Sequence, residues 1–170
     1  MGLAQWLVLL VAAQRLGELA LARRNTARLL ARGGQEVDAG HYPLIVALHA
    51  GWLVAVFLAV PADTAPIWPW LVPFLLLQAG RVWVIASIGE YWTTRIVTVP
   101  DAPLVRRGPY RWLRHPNYLV VVGEIALLPM AFGAWAVAAV FSVANLALLT
   151  WRIRVEDQVL EPRRHPGLSH

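Results

Sequence analysis

The chain has 170 residues, 58% of them hydrophobic, with 15 basic residues, 10 acidic residues and a formal net charge of +5. A water-soluble domain is nearer half apolar, so the composition excludes an ordinary soluble domain and predicts an all-α integral membrane protein with room for about five spans of ~20 residues. The lack of cysteine excludes disulfides, thiolate metal sites and a thiol nucleophile, and the basic residues are all Arg, in clusters that flank apolar runs, which points to membrane orientation ahead of nucleic acid.

The first span runs from Leu3 to Leu21 and ends in Arg23 and Arg24. It reads as a retained span and not a signal peptide, because Met1 to Gln5 carry no positive charge and Arg15 and Glu18 interrupt the apolar run. Its helix is predicted to continue to Ala31 and stop at Gly33–Gly34. A polar loop follows from Gln35 to Tyr42. The second span covers Pro43 to Val60, and "PADTAP" breaks the chain before the third, Trp68 to Ile88. Trp68 and Trp70 suit an interfacial belt.

Residues 89–115 form the longest non-spanning segment; "TTRIVTVPDAP" is β-branched and then broken by proline, so it is predicted to be extended or looped. The fourth span starts at Pro116 and ends near Phe132. The fifth, Ala134 to Trp151, follows after Gly133 alone, so the two form a tight antiparallel hairpin. A charged helix from Arg152 to Glu161 is predicted to end at Pro162. The chain divides into an N-terminal three-span region, 1–88, and a loop, hairpin and C-terminal helix, 89–170. Arg residues gather after the first and third spans and in the tail, while the loops after the second and fourth spans hold none. The protein is therefore expected to be a multi-pass protein of the cell membrane, with its N-terminus outside and its C-terminus cytoplasmic.

Three groups of residues carry potential chemistry. In "GPYRWLRHPNY", Pro116 fits the first turn of a helix, whose free N–H groups form an anion site. Arg114 and His115 add donors beside it, and Tyr110 and Tyr118 add aromatic faces with hydroxyl tips. In "WRIRVEDQVL", Arg152 and Glu156 are four apart on one helix face; read alone they are an ordinary ion pair, but the hairpin returns them to the membrane side of His115. The third group is intramembrane charge: Arg15 with Glu18 as an internal pair, Arg81 within snorkelling reach of the cytoplasmic end, and Glu124, two turns inside from Pro116, placed to line a substrate pocket. His49 and Asn145 read as structural hydrogen-bonding residues. No phosphate loop, dinucleotide fingerprint or Asp-rich metal motif occurs, and His41 and His49 lack a third ligand, so no metal is expected.

"LVRRGPYRWLRHPNYLVVVGE", followed by a helical hairpin and "RIRVEDQVL", resembles the isoprenylcysteine carboxyl methyltransferase family of multi-span enzymes that use S-adenosylmethionine. The resemblance implies that Leu104 and Val105 touch the cofactor ahead of the turn and that Tyr110 lines its pocket. It further implies that His115, Pro116, Asn117 and Tyr118 hold the amino-acid end and ribose side. Glu156 would close the cofactor site, and Arg152 would face the reacting end of the substrate; these two are the implied catalytic residues. Arg95 is a weaker match to a cofactor contact. The longer aromatic tail of the prenylcysteine enzymes is not matched after "LEPRRHPGLSH". "QRLGELALARRN" and "GHYPLIVALH" look like a short bacterial branch whose members accompany type III polyketide synthases and methylate hydroxyls of alkylresorcinol or alkylpyrone lipids.

On this reading the protein is an O-methyltransferase for a lipophilic acceptor entering from the bilayer, with Arg152 and Glu124 toward the substrate. A carboxylate acceptor is already ionised at neutral pH, whereas a phenol, with a pKa of ~10, needs a proton acceptor, for which Glu156, His115 and Glu124 are candidates. Two alternatives stand beside it: an NADPH-dependent lipid reductase of the steroid-reductase-like type, which shares the Arg-His-Pro-Asn-Tyr run but is generally longer, and a non-catalytic membrane protein.

Overall fold

A computed structural model describes residues 1–37, 40, 42–99 and 105–164. It contains five helices: α1 (Leu3–Ala31), α2 (Tyr42–Ala59), α3 (Trp68–Ile88), α4 (Pro116–Met130) and α5 (Trp135–Arg164). Apolar residues cover the helices on most sides, and large ones such as Leu16, Leu58, Leu76 and Val143 lie on the outer surface. That distribution belongs to a bundle whose solvent is lipid, in which each helix satisfies its own backbone internally. α1, α2, α3 and α5 are long and apolar enough to cross a membrane, whereas α4 has 15 residues. Pro129 and Gly133, the latter at φ +73°, end α4 at Met130, short of the expected Phe132.

The boundaries follow local signals. α1 does continue past its apolar part to Ala31, and Gly33 at φ +83° terminates it by donating to the Leu30 carbonyl. α3 begins at Trp68 with proline in its first turn. Two expectations are corrected. The fifth span and the charged helix are one uninterrupted helix, α5, which passes Pro162 and runs to Arg164, because nothing between Trp151 and Glu161 breaks the backbone. The loop after α1 contains a three-residue strand, β1 (Gln35–Val37), which pairs antiparallel with β2 (Ile96–Thr98). The register sets Glu36 opposite Val97 and ties the long loop to the end of α1.

The core has two parts. Near the N-terminus of α1, Ala4, Val8 and Val11 pack with Trp52, Phe74, Ile125 and Leu128. Gln5 donates to the Val60 carbonyl at 2.6 Å, and the Ile67 amide donates to the Ala131 carbonyl at 2.8 Å, so the turns at this end lie at one level. At the other end Ala22, Val84, Trp92 and Val120 form a second cluster beneath the long loop. Asn25 holds that loop to α1, donating to the carbonyls of Gly89 and Trp92 at 3.3 and 3.0 Å.

Candidate active site at the α4–α5 end

The segment before α4 is shaped by Gly108. It sits at φ +57°, and a Cβ there would lie 2.0 Å from Ser87 Oγ. Arg107 Nε donates to the Ser87 carbonyl at 2.6 Å, which pins the turn Gly108–Arg111 to the end of α3. The turn buries Pro109 and sets Tyr110 against the second core cluster. Burial, together with the nearby Glu156 carboxylate, holds the Tyr110 phenol well above its usual range, so it stays protonated. His115 stands at the N-cap position of α4 without a side-chain capping bond, Pro116 takes the first helical position, and the His115 and Tyr118 rings stack with centroids 5.1 Å apart.

α5 meets this group across the hairpin. Arg152, 9% exposed, donates through Nε to the Tyr118 hydroxyl at 2.7 Å and through Nη1 to the Thr94 carbonyl at 2.9 Å. The Tyr118 hydroxyl in turn donates to Glu156. Arg152 and Glu156 are thus joined through Tyr118, one turn of α5 apart, and do not form the ordinary surface pair that their spacing alone suggests. His115 Nδ1 lies 3.7 Å from Glu156, and its Nε2 lies 3.4 Å from Asp157, without hydrogen-bond geometry. Nε2 is a buried polar atom with no hydrogen bond, an arrangement that calls for a ligand or water.

Of the residues named from sequence, Tyr110, His115, Pro116, Tyr118, Arg152 and Glu156 come together here. Val105 is half-buried ahead of the turn, and Leu104, like His41, lies outside the described residues. Arg95 follows Thr94 in the loop just ahead of β2, but its guanidinium pairs with Glu36 at 2.8 Å and stacks on Tyr42 at 5.0 Å. Sequence reasoning did not single out Thr94 or Asp157. Asp157 was legible as the neighbour of Glu156; a backbone carbonyl such as that of Thr94 leaves no residue-type signal.

Asn117 faces a second polar layer inside the bundle. Its Oδ1 accepts from Arg81 at 3.5 Å. Arg81 is 5% exposed and forks onto both oxygens of Glu18 at 2.6 Å, then reaches Glu124 at 3.2 Å. Arg15 bridges the same two carboxylates at 2.9 and 2.6 Å, and Gln78 donates to Glu124 at 3.0 Å. The expected Arg15–Glu18 pair is present within this larger lattice. Arg81 does not snorkel: its partners on α1 and α4 hold it inward. Two Arg and two Glu balance, which is how buried charge is tolerated in hydrocarbon. Glu124, 1% exposed, belongs to this lattice. Among the described residues no group of three or more His, Asp or Glu side chains is arranged to hold a metal.

The fold and this site define a multi-pass helical membrane protein with a polar cluster built where a short helix begins and a long one leaves the bilayer. A sequence model of the isoprenylcysteine carboxyl methyltransferase (ICMT) family matches residues 70–162, more than half of the chain, and the chain belongs to that family. It is similar to an uncharacterized protein, YpbQ, of Bacillus subtilis (strain 168), 37% identical over 161 residues that cover 92% of this chain and 96% of the relative. An uncharacterized protein of Haemophilus influenzae (strain ATCC 51907 / DSM 11121 / KW20 / Rd) is 24% identical over 157 residues, 88% of this chain and 90% of that protein. No solved structure matches the chain at a significant level.

Proposed function

We propose that this membrane methyltransferase uses S-adenosylmethionine to methylate an oxygen of a lipophilic acceptor. The observation that carries the reading is the Arg152–Tyr118–Glu156 chain beside the unsatisfied His115 Nε2. The donor set fits the cofactor: the N-terminus of α4 with His115 suits a carboxylate, Glu156 and Asp157 suit an ammonium, and Tyr110 and Tyr118 offer ring faces. When bound, S-adenosylmethionine supplies an electrophilic methyl group that an oxygen nucleophile can take directly. The work left to the protein is alignment and exclusion of water.

Arg152 serves that work as an orienting cation. Its Nε and Nη1 are fixed by Tyr118 and Thr94, which leaves Nη2 for an acceptor oxygen. Glu156 is the nearest carboxylate to receive a proton from a hydroxyl acceptor, with His115 beside it. Our reading of the acceptor is a hydroxyl on an alkylresorcinol- or alkylpyrone-type lipid, such as a type III polyketide synthase produces, with the carboxylate of a prenylcysteine as the competing class. It rests on the resemblance of the first two spans to the short bacterial branch. The Arg-rich end of the bundle is assigned to the cytoplasm by its charge, which puts the N-terminus outside.

Calorimetry on the purified full-length protein tests the reading, with NADPH as the control. S-adenosylmethionine is expected to bind, and Glu156→Ala and His115→Ala are expected to lose binding with the helical fold intact. Binding of NADPH alone, or of neither cofactor to folded protein, would defeat the proposal. Turnover of a long-chain phenol against a prenylcysteine then separates the two acceptor classes.

A further inference from the structure

A cleft of about 230 Å³, with a mixed polar and apolar lining, lies where α1 emerges from the bilayer. It is lined by Arg23, Thr26 and Leu30 of α1, by Tyr42 at the start of α2, and by Thr94 and Arg95 ahead of β2. Arg23, Thr26 and Leu30 are three and four residues apart, so they share one helix face. α1 starts at Leu3, and at 1.5 Å per residue it crosses a ~30 Å hydrocarbon layer by about residue 22. The cleft therefore stands in the headgroup layer.

Its cations have capacity to spare. Arg23 has no hydrogen bond or ion pair among the described residues. Arg95 meets both Glu36 oxygens through Nη1 alone, at 2.9 and 2.8 Å, so its Nε and Nη2 remain for another anion. The Arg95 side chain is 44% exposed. Two Arg side chains line the cleft, one of them paired with the single carboxylate Glu36, and Thr26 and Tyr42 bring hydroxyl-bearing side chains to the same wall. Leu30, 41% exposed, supplies an apolar contact at the same place.

We propose that this cleft binds a phosphate ester at the membrane surface, the headgroup of an anionic phospholipid, through Arg23 and Arg95 with help from Thr26 and Tyr42. Guanidinium groups suit phosphate because they present paired donors, and an ester at this depth is delivered by the bilayer itself. Thr94, whose carbonyl anchors Arg152, also lines this cleft, so a lipid seated here steadies the support of the candidate active site.

The test uses the full chain in neutral detergent, without a methyl donor, so its outcome is independent of the methyltransferase reading. Tryptophan fluorescence and melting temperature are followed during titration with short-chain phosphatidylglycerol, short-chain phosphatidylcholine and glycerol phosphate. Phosphatidylglycerol should bind at least about tenfold more tightly than phosphatidylcholine, which carries the same phosphodiester but adds a choline cation that Arg23 and Arg95 repel. Arg23→Gln/Arg95→Gln should abolish the preference, and Glu36→Gln, which releases Arg95, should strengthen it. Equal affinities for the two lipids, or a preference that survives the double substitution, overturns the proposal. Saturation by glycerol phosphate alone at the same affinity overturns the lipid as the source.

Discussion

Removing Arg81 exposes the charge balance of the bundle. Arg81→Met deletes the fork onto Glu18 and the contact with Glu124, and leaves Arg15 as the single cation of the lattice facing two buried carboxylates. Breaking a buried ion pair from one side costs about 3–5 kcal/mol, because the remaining charge keeps its desolvation penalty without its partner. For a protein of this size that corresponds to a fall of about 6–20 °C in melting temperature. Arg81→Met/Glu18→Gln restores neutrality, with Arg15 facing Glu124 alone, and should recover most of the loss, since isosteric removal of a whole buried pair is close to neutral. Thermal melts in detergent, followed by tryptophan fluorescence, read both variants. A single substitution that costs less than about 1 kcal/mol, or a double no more stable than the single, refutes the view that these charges hold one another in place.

Tyr118→Phe keeps the ring that stacks on His115 but removes the hydroxyl shared by Arg152 and Glu156. Melting temperature should fall by a few degrees because Arg152 Nε loses its acceptor, while S-adenosylmethionine affinity measured by calorimetry should fall about tenfold or more, the value of a hydrogen bond to a charged group. Gly108→Ala places a Cβ against Ser87 at a positive φ and should destabilise the fold by about 1–3 kcal/mol in the same melts. Tyr110 has a raised phenol pKa, so its neutral form supports the fold below the unfolded value of about 10, and that support is lost as pH rises further because only the unfolded chain ionises readily. Tyr110→Phe should therefore narrow the drop in melting temperature between about pH 9 and pH 11; an unchanged drop would mean that the buried phenol is not its cause.

The helices were legible because their signals are local. The apolar run from Trp68 to Ile88 matches α3 at both ends, and the Gly33–Gly34 stop matches the end of α1. The Arg-His-Pro-Asn-Tyr run and the i, i+4 pair on α5 were readable as a site because a hairpin must bring them together. What escaped the sequence was relational. Gln35–Val37 is a strand only because Ile96–Thr98 pairs with it, and three residues are too few to show a period. Arg81 looked free to snorkel because its partners lie 63 and 43 positions away in the chain. The continuity of α5 was hidden by composition: the residues turn from apolar to charged at Arg152 while the backbone does not change.

The shortness of α4 also sets the depth of the chemistry. α3 and α4 share a level at one end, where the Ile67 amide meets the Ala131 carbonyl. From there α3 climbs 21 residues and α4 only 15, so α4 stops about 9 Å below the top of its neighbour at 1.5 Å per residue. Asn117 accordingly comes to rest beside Arg81, seven residues short of the end of α3. The start of α4, and with it His115 and Tyr118, is thus set below the end of α3. A molecule held in the hydrocarbon has a correspondingly shorter climb to that level than it would have to the end of α3.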